Sequence, residues 1–268
     1  MQEGSLIPRF GRARRDPSLA VLEGFHPLKH ALRFGANLLE VVRSSDSDLD
    51  GLAAQLAPDL AGRMHELARA VEPSVFAQLA PLTPATGVIA LAERRAVDPR
   101  ALLAEKRDAP VVLLEDPRDL GNLGACVRVA AGADAAGVLS TGSHDPWSPD
   151  ALRGGAGLQF ALPVARLDGL ASLDRAVEPI GSAASPGPAA RRPLLALDPG
   201  GEPLRPSELP ARAVLAFGTE RYGLSDELLA GADARISIPM RAGVSSLNLA
   251  TSVAAVLFAW RLTGEPRT

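Results

Sequence analysis

Three short segments concentrate the residues of this chain best suited to chemistry. The first, Glu115-Asp-Pro-Arg-Asp-Leu-Gly-Asn122-Leu-Gly124, carries Asn122 and leads one turn later to Arg128. The second, Phe217-Gly-Thr-Glu220-Arg-Tyr-Gly223-Leu-Ser225, sets Glu220 between glycines and ends on Ser225 or Asp226 as a helix start signal. The third is Ser245-Ser246-Leu247-Asn248, ahead of a long apolar stretch. An arginine offers a permanent charge and a fork of donors to a phosphate or a developing oxyanion. Glycines let backbone approach a ligand closely. Taken singly, each residue has a plain structural reading: Asn122 and Ser246 as helix caps, Gly121 and Gly124 as turns, Glu220 as a surface charge. Their joint occurrence in this order points to a site.

The elements around these segments follow a regular alternation. Val111–Leu114 is a bounded apolar strand, followed by a helix over Gly124–Ala131, strands at Gly137–Ser140 and around Val164, and a strand at Ala213–Gly218. A helix over Leu224–Ala230, a strand at Ala234–Ile238 and a helix over Ser246–Leu262 complete the pattern. Strands alternating with helices predict a parallel sheet covered on both faces, and ligands of such sheets bind beyond the carboxyl ends of the strands. All three segments fall at those ends. The stretch Gly181–Arg192, rich in Pro, Gly, Ala and Ser, reads as a mobile surface connection.

Upstream lies a smaller α/β domain over residues 18–93. Its pattern is a strand at Leu19–Glu23, a helix over His26–Phe34 closed by Gly35, and a strand at Leu38–Val42. Helical stretches then run to about Ala80, followed by a strand at Gly87–Leu91. Residues 1–17, with Arg9, Arg12, Arg14 and Arg15, read as a flexible basic tail, residues 94–109 as a linker, and residues 110–268 as the second domain.

Composition narrows the function. With 268 residues, 47% hydrophobic and 22% charged, the chain holds a real core. The longest apolar run, Val253–Trp260, is too short to span a bilayer, and the basic start lacks the apolar stretch of a secretory signal, so a cytoplasmic location is expected. Cys126 is the single cysteine, which excludes an internal disulfide and a cysteine-based metal site. His26 and His30 share a helical spacing without a third ligand and read as surface histidines; no metal is expected. A net charge of −3 argues against binding nucleic acid by bulk charge alone but leaves room for a local cluster among the 28 Lys and Arg residues.

Asn122-Leu-Gly-Ala-Cys-Val-Arg128, then Gly218-Thr-Glu-Arg-Tyr-Gly223-Leu224, then Ile238-Pro239 and Ser246-Leu-Asn248 together resemble the three signature motifs of the SpoU/TrmH family of the SPOUT superfamily. These are S-adenosylmethionine (AdoMet)-dependent RNA 2′-O-ribose methyltransferases. The resemblance covers Val111 to Leu262, and the first domain resembles, more loosely, an L30e-like RNA-binding domain. It implies a deep trefoil knot in the C-terminal domain, a topology that composition does not suggest. It implies AdoMet held largely by main chain, at Gly218, Thr219, Ile238, Pro239, Met240 and Leu247, and no metal. The residue matching Arg128 acts on the 2′-hydroxyl, with Asn122, Glu220, Ser246 and Asn248 as its catalytic companions. His26, Lys29 and Arg153 are candidate RNA contacts. Two departures stand out: Ala250 and Gly155 occupy positions where serine is frequent.

The expected function is methyl transfer to a structured RNA by a homodimer with no membrane association, with 23S ribosomal RNA favoured over tRNA because a full extra domain is present. The rival from another class is a non-catalytic RNA-binding or ribosome-assembly protein on the same fold. The presence of Arg128, Glu220 and Asn248 weighs against it.

Overall fold

The computed structural model describes residues 5–171, 173, 192–219 and 221–263. They form two compact units, one spanning Met1–Ala96 and Trp147–Ala161, the other Val97–Pro146 and Leu162–Thr268. Nearly all elements expected from the apolar pattern are present.

The first unit is built on a four-stranded sheet, β1 (Leu19–Glu23), β2 (Leu38–Ser44), β3 (Ala68–Val71) and β4 (Val88–Glu93), in the order β1-β4-β2-β3. Pairing is antiparallel except between β2 and β3. The short strand β3 falls among the helical stretches expected up to about Ala80. Its four residues are too few to carry a period, and it exists by pairing alongside β2.

Residues 5–16 are not a flexible tail. Leu6–Ala13 is a helix whose Leu6, Phe10 and Ala13 are buried in one cluster with Val21, Val42 and Ile89. These apolar positions recur at helical spacing between the arginines that dominate the composition. Two of those arginines are paired within the unit, Arg9 with Glu40 at 2.7 Å and Arg14 with Glu23 at 2.6 Å.

The segment Trp147–Ala161, which the sequence pattern left in the C-terminal domain, packs inside this first unit. The Trp147 and Phe160 rings meet edge to face at 5.0 Å. Gly157, in the left-handed region, lies where a Cβ would come within 2.6 Å of the Pro27 carbonyl oxygen. Such contacts join residues far apart in sequence, and no local period records them.

The second unit carries six parallel strands in the order β10-β8-β9-β5-β6-β7. These are β5 (Val111–Leu114), β6 (Gly137–Ser140), β7 (Val164–Arg166), β8 (Leu194–Pro203), β9 (Val214–Phe217) and β10 (Ala234–Ser237). Strands β5, β6 and β9 are buried along their whole length, as parallel strands between covering layers must be. Strand β8 was not expected. Its first part, Leu194-Leu-Ala-Leu197, pairs with β9, but the register against β10 breaks around Asp198-Pro-Gly-Gly201: the consecutive β10 residues Arg235 and Ile236 pair with Ala196 and Glu202. A turn-rich composition at residues 198–201 does not reveal the strand on either side of it.

Arg192 also departs from expectation. Residues 181–191 lie outside the described residues, but Arg192 is 3% exposed rather than part of a mobile surface. Its guanidinium donates to the carbonyls of Leu103 at 3.1 Å, Glu105 at 3.0 Å and Ala109 at 2.6 Å. Main-chain acceptors at the end of the helix Pro99–Ala104 thus compensate the buried charge.

Candidate functional site

The strand order creates the site. From β5 the chain proceeds outward to β6 and β7, then returns to the opposite side for β8, β9 and β10. Strands β5 and β9 lie side by side at this reversal, in register from Val111 opposite Val214 to Leu114 opposite Phe217. Their connections leave in different directions, which opens a crevice beyond their carboxyl ends. The segments beginning at Glu115, Gly218 and Ile238 all start there.

The described residues of the Gly218–Ser225 loop are cross-tied by hydrogen bonds. Thr219 and Gly223 exchange main-chain hydrogen bonds of 3.0 and 3.1 Å, and the Tyr222 N–H donates to Thr219 Oγ1 at 3.0 Å. Gly223 has φ +70°, a left-handed conformation that glycine adopts freely. Gly218 is required by the loop itself: a Cβ there would stand 2.0 Å from the Gly223 carbonyl carbon and 2.2 Å from the Leu224 nitrogen. The motif alone points to close approach of a ligand at Gly218. The first obstacle to a side chain is the protein's own backbone.

A residue outside the candidate site residues, Glu115, anchors this loop. Glu115, 8% exposed at the end of β5, accepts the Ser225 N–H at 2.7 Å and the Ser225 hydroxyl at 2.5 Å. Ser225 Oγ in turn accepts from the Leu228 N–H at 3.2 Å and caps the helix Asp226–Gly231. Glu115 thereby ties the first segment to the second. Its one sequence signal was a carboxylate directly after a buried apolar strand.

The first and third segments are tied by a second link. The helix after β5 spans Leu120–Gly132, and its cap is Asp119, which accepts the Asn122 N–H at 2.6 Å, rather than Asn122. The Asn122 side chain is left for other work: its Oδ1 accepts the Asn248 side-chain N–H at 3.0 Å. Asn248 Oδ1 accepts from the Ala250 N–H at 2.9 Å and caps the C-terminal helix. That helix therefore begins at Leu249 and not at Ser246, and it runs to Thr263.

A cleft of about 600 Å³ lies among these loops. Its walls include Gly218, Thr219, Ile238, Met240, Ser246 and Leu247, together with Phe217 and Leu249. Pro239, Asn122, Asn248 and Arg128 do not line it. Residues 241–248 are exposed throughout. Glu220 lies outside the described residues.

Arg128 sits on the exposed side of the helix Leu120–Gly132, in a stripe with Gly121, Ala125 and Gly132. Among the described residues no ion pair or hydrogen bond occupies its guanidinium.

The candidate RNA contacts lie in the first unit. His26 is exposed and edge-on to Phe25, and Lys29 is half-buried. Arg153 is held by Glu23 at 3.0 Å and by Asp150. His30 is not a surface residue: half-buried, its Nδ1 lies 2.6 Å from the Ala156 carbonyl oxygen. Burial, with the charges of Lys29 and Arg33, lowers its pKa, and the Ala156 carbonyl opposes that shift.

Comparison with known proteins agrees with this layout. The SpoU rRNA Methylase family model matches residues 109–258, which hold all three segments. A 23S rRNA (adenosine(1067)-2′-O)-methyltransferase of Streptomyces azureus is 27% identical over 250 residues, 91% of this chain and 87% of that protein. A 23S rRNA (uridine(2479)-2′-O)-methyltransferase of Streptomyces viridochromogenes is 25% identical over 237 residues, 88% and 79% of the two chains. The crystal structure of an AdoMet-bound rRNA methyltransferase from Sinorhizobium meliloti superposes with a TM-score of 0.72 at 25% identity, covering 97% of this chain and 94% of that one. With a family model covering more than half its length, and that half containing every segment of the cleft, the chain belongs to the SpoU rRNA methylase family.

Proposed function

We propose that the protein transfers a methyl group from AdoMet to a ribose 2′-hydroxyl of large-subunit ribosomal RNA. The observation that carries this reading is the cross-linked set of loops: Glu115 to Ser225, and Asn122 to Asn248, around one cleft in a chain of this family.

The cleft fits the donor. Its volume falls within the range of roughly 300–1,000 Å³ typical of small-molecule sites. Apolar walls from Phe217, Ile238 and Leu249 alternate with polar groups from Thr219 and Ser246. Among the described residues, no hydrogen bond engages the main-chain N–H of Met240 or Leu247, which leaves donors for a ligand. Gly218, Thr219, Ile238, Met240 and Leu247 would hold the donor, mainly through backbone, with Pro239 between two of them but off the cleft wall. Bound there, AdoMet supplies an activated methyl carried on a sulfonium.

The protein's task is then to hold the 2′-oxygen in line and manage its proton. Arg128 is assigned to that hydroxyl. A guanidinium with a pKa above about 12 is no base at neutral pH. Its role is to stabilise the developing oxyanion, or to fix an RNA phosphate that receives the proton. Asn122, Glu220, Ser246 and Asn248 orient these groups.

Arg128 lies outside the cleft of its own chain, and this supports a homodimeric site completed by a second copy. The exposed Phe258 and Leu262 of the C-terminal helix, 40% and 82% exposed, supply an apolar face for that contact. A trefoil knot through the cleft loops and an L30e-like, RNA-binding role for the first unit belong to the same reading. It also implies work where ribosomes are, in the cytoplasm.

The test is labelled methyl transfer to purified ribosomal RNA and to tRNA, with mapping of the modified nucleotide. Transfer confined to tRNA would replace the ribosomal assignment. Absence of AdoMet binding at micromolar concentrations would return the chain to a non-catalytic RNA-binding role. Arg128→Ala is expected to abolish transfer while AdoMet binding stays near normal; turnover at the wild-type rate would remove Arg128 from the site.

A further inference from the structure

Aromatic residues make up only 4% of the chain, and most of the described ones are buried. Tyr222 is the chain's single tyrosine and is 74% exposed. It stands on the cleft loop, not on a remote surface. Its backbone is tied by the paired main-chain bonds of Thr219 and Gly223 and by its own N–H bond to Thr219 Oγ1. Glu115 pins the far end of that loop through Ser225. The Arg221 guanidinium lies 5.4 Å from the centre of the Tyr222 ring. A large apolar ring thus stands in water on a tied backbone, with a cation beside it.

An exposed ring with an adjacent cation is a combination suited to an unstacked nucleobase. The ring offers a flat π-face to any base, and the guanidinium offers charge to the neighbouring phosphate. An acceptor ribose must come to the cleft from solvent, and a base splayed out of its helix needs a surface to replace lost stacking.

We infer that Tyr222, backed by Arg221, is the stacking platform for an unpaired base of the acceptor RNA, at or next to the methylated nucleotide. The inference rests on the proposed RNA methyl transfer and adds to it the residue that receives the base.

The experiment compares wild type with Tyr222→Ala, Tyr222→Leu, Tyr222→Phe and Arg221→Ala. Binding to deproteinised large-subunit ribosomal RNA is measured by filter retention, AdoMet binding by calorimetry, and mass by sedimentation. Tyr222→Ala is expected to weaken RNA binding roughly 10–100-fold, the range of one lost aromatic–base stack. Tyr222→Phe should stay within about threefold of wild type, while Tyr222→Leu, apolar but not aromatic, should fail to rescue. AdoMet affinity should fall by a smaller factor than RNA affinity in every variant, since Arg221 and Tyr222 also line the cleft. Tyr222→Leu binding RNA as well as wild type does would overturn the stacking role. AdoMet affinity falling while RNA binding holds would give the ring to the methyl donor instead. A change of mass in Tyr222→Ala would give it to a contact between copies. Wild-type protein that binds no ribosomal RNA overturns this inference and the proposed function together. Wild-type transfer with unaltered Tyr222 variants overturns the inference alone.

Discussion

Removing the Glu115 carboxylate should loosen the Gly218–Ser225 loop without touching any residue that lines the cleft. Glu115 is 8% exposed and accepts both the N–H and the hydroxyl of Ser225, at 2.7 and 2.5 Å. Hydrogen bonds to a charged acceptor contribute about 1.5–3 kcal/mol each, and two on one carboxylate are not fully additive. Glu115→Ala is therefore expected to cost about 2–3 kcal/mol, which lowers Tm by roughly 4–12 °C. Glu115→Gln retains one acceptor and should fall between. Ser225→Ala removes the hydroxyl bond and the cap on Leu228, worth about 1 kcal/mol, but leaves the main-chain bond to Glu115. The double variant should then show a coupling of about 1–2 kcal/mol, measured by urea denaturation, because both changes remove the same hydroxyl contact. Calorimetric titration should find AdoMet affinity reduced in Glu115→Ala by tenfold for about every 1.4 kcal/mol spent reordering the loop. Stability losses that simply add, within about 0.5 kcal/mol, would mean that the two residues do not act as one unit, and the reasoning would fail.

Three further outcomes follow from the packing. Phe10→Ala should destabilise the first unit by about 3–5 kcal/mol in denaturant titrations, since the ring is fully buried; a stability unchanged from wild type would restore the tail reading. Gly218→Ala should cost about 1–3 kcal/mol and weaken AdoMet binding, because the added Cβ meets backbone at 2.0 Å; hydrogen exchange in residues 218–225 should rise with it, and unchanged exchange would refute the clash. Burial holds the folded His30 pKa below its usual 6.5, so the unfolded chain takes up that proton first as pH falls. His30 therefore contributes no penalty above pH 6.5, and stability declines as pH drops below it toward the folded pKa. His30→Asn should flatten that decline in melting curves, and an identical pH profile would exclude His30 as its source.

How much of this was legible in the sequence depended on the range of the interaction. The three segments, the strands β5, β6 and β9 and the family resemblance were readable because each rests on a contiguous run. Val111–Leu114 needs only four apolar residues between polar neighbours, and Gly218–Gly223 only its own spacing. The arginines of residues 9–15 misled because composition was weighed before period: Leu6, Phe10 and Ala13 carry the helix that buries them. Strand β8 was lost because Asp198-Pro-Gly-Gly201 reads as a turn whether or not strand resumes beyond it.

Tertiary structure alone decided who holds whom. Asn122 and Asn248 are 126 positions apart, and Glu115 and Ser225 are 110. No local pattern links such residues, since their meeting depends on strand order and on which ends of β5 and β9 face the same crevice. The same holds for Arg128, whose type and place on a helix were evident from the sequence. Its position outside the cleft of its own chain emerged only when the helix was packed. Sequence determines which groups are available and which element carries each one. The register of a parallel sheet, set by buried area over the whole unit, determines which of them meet.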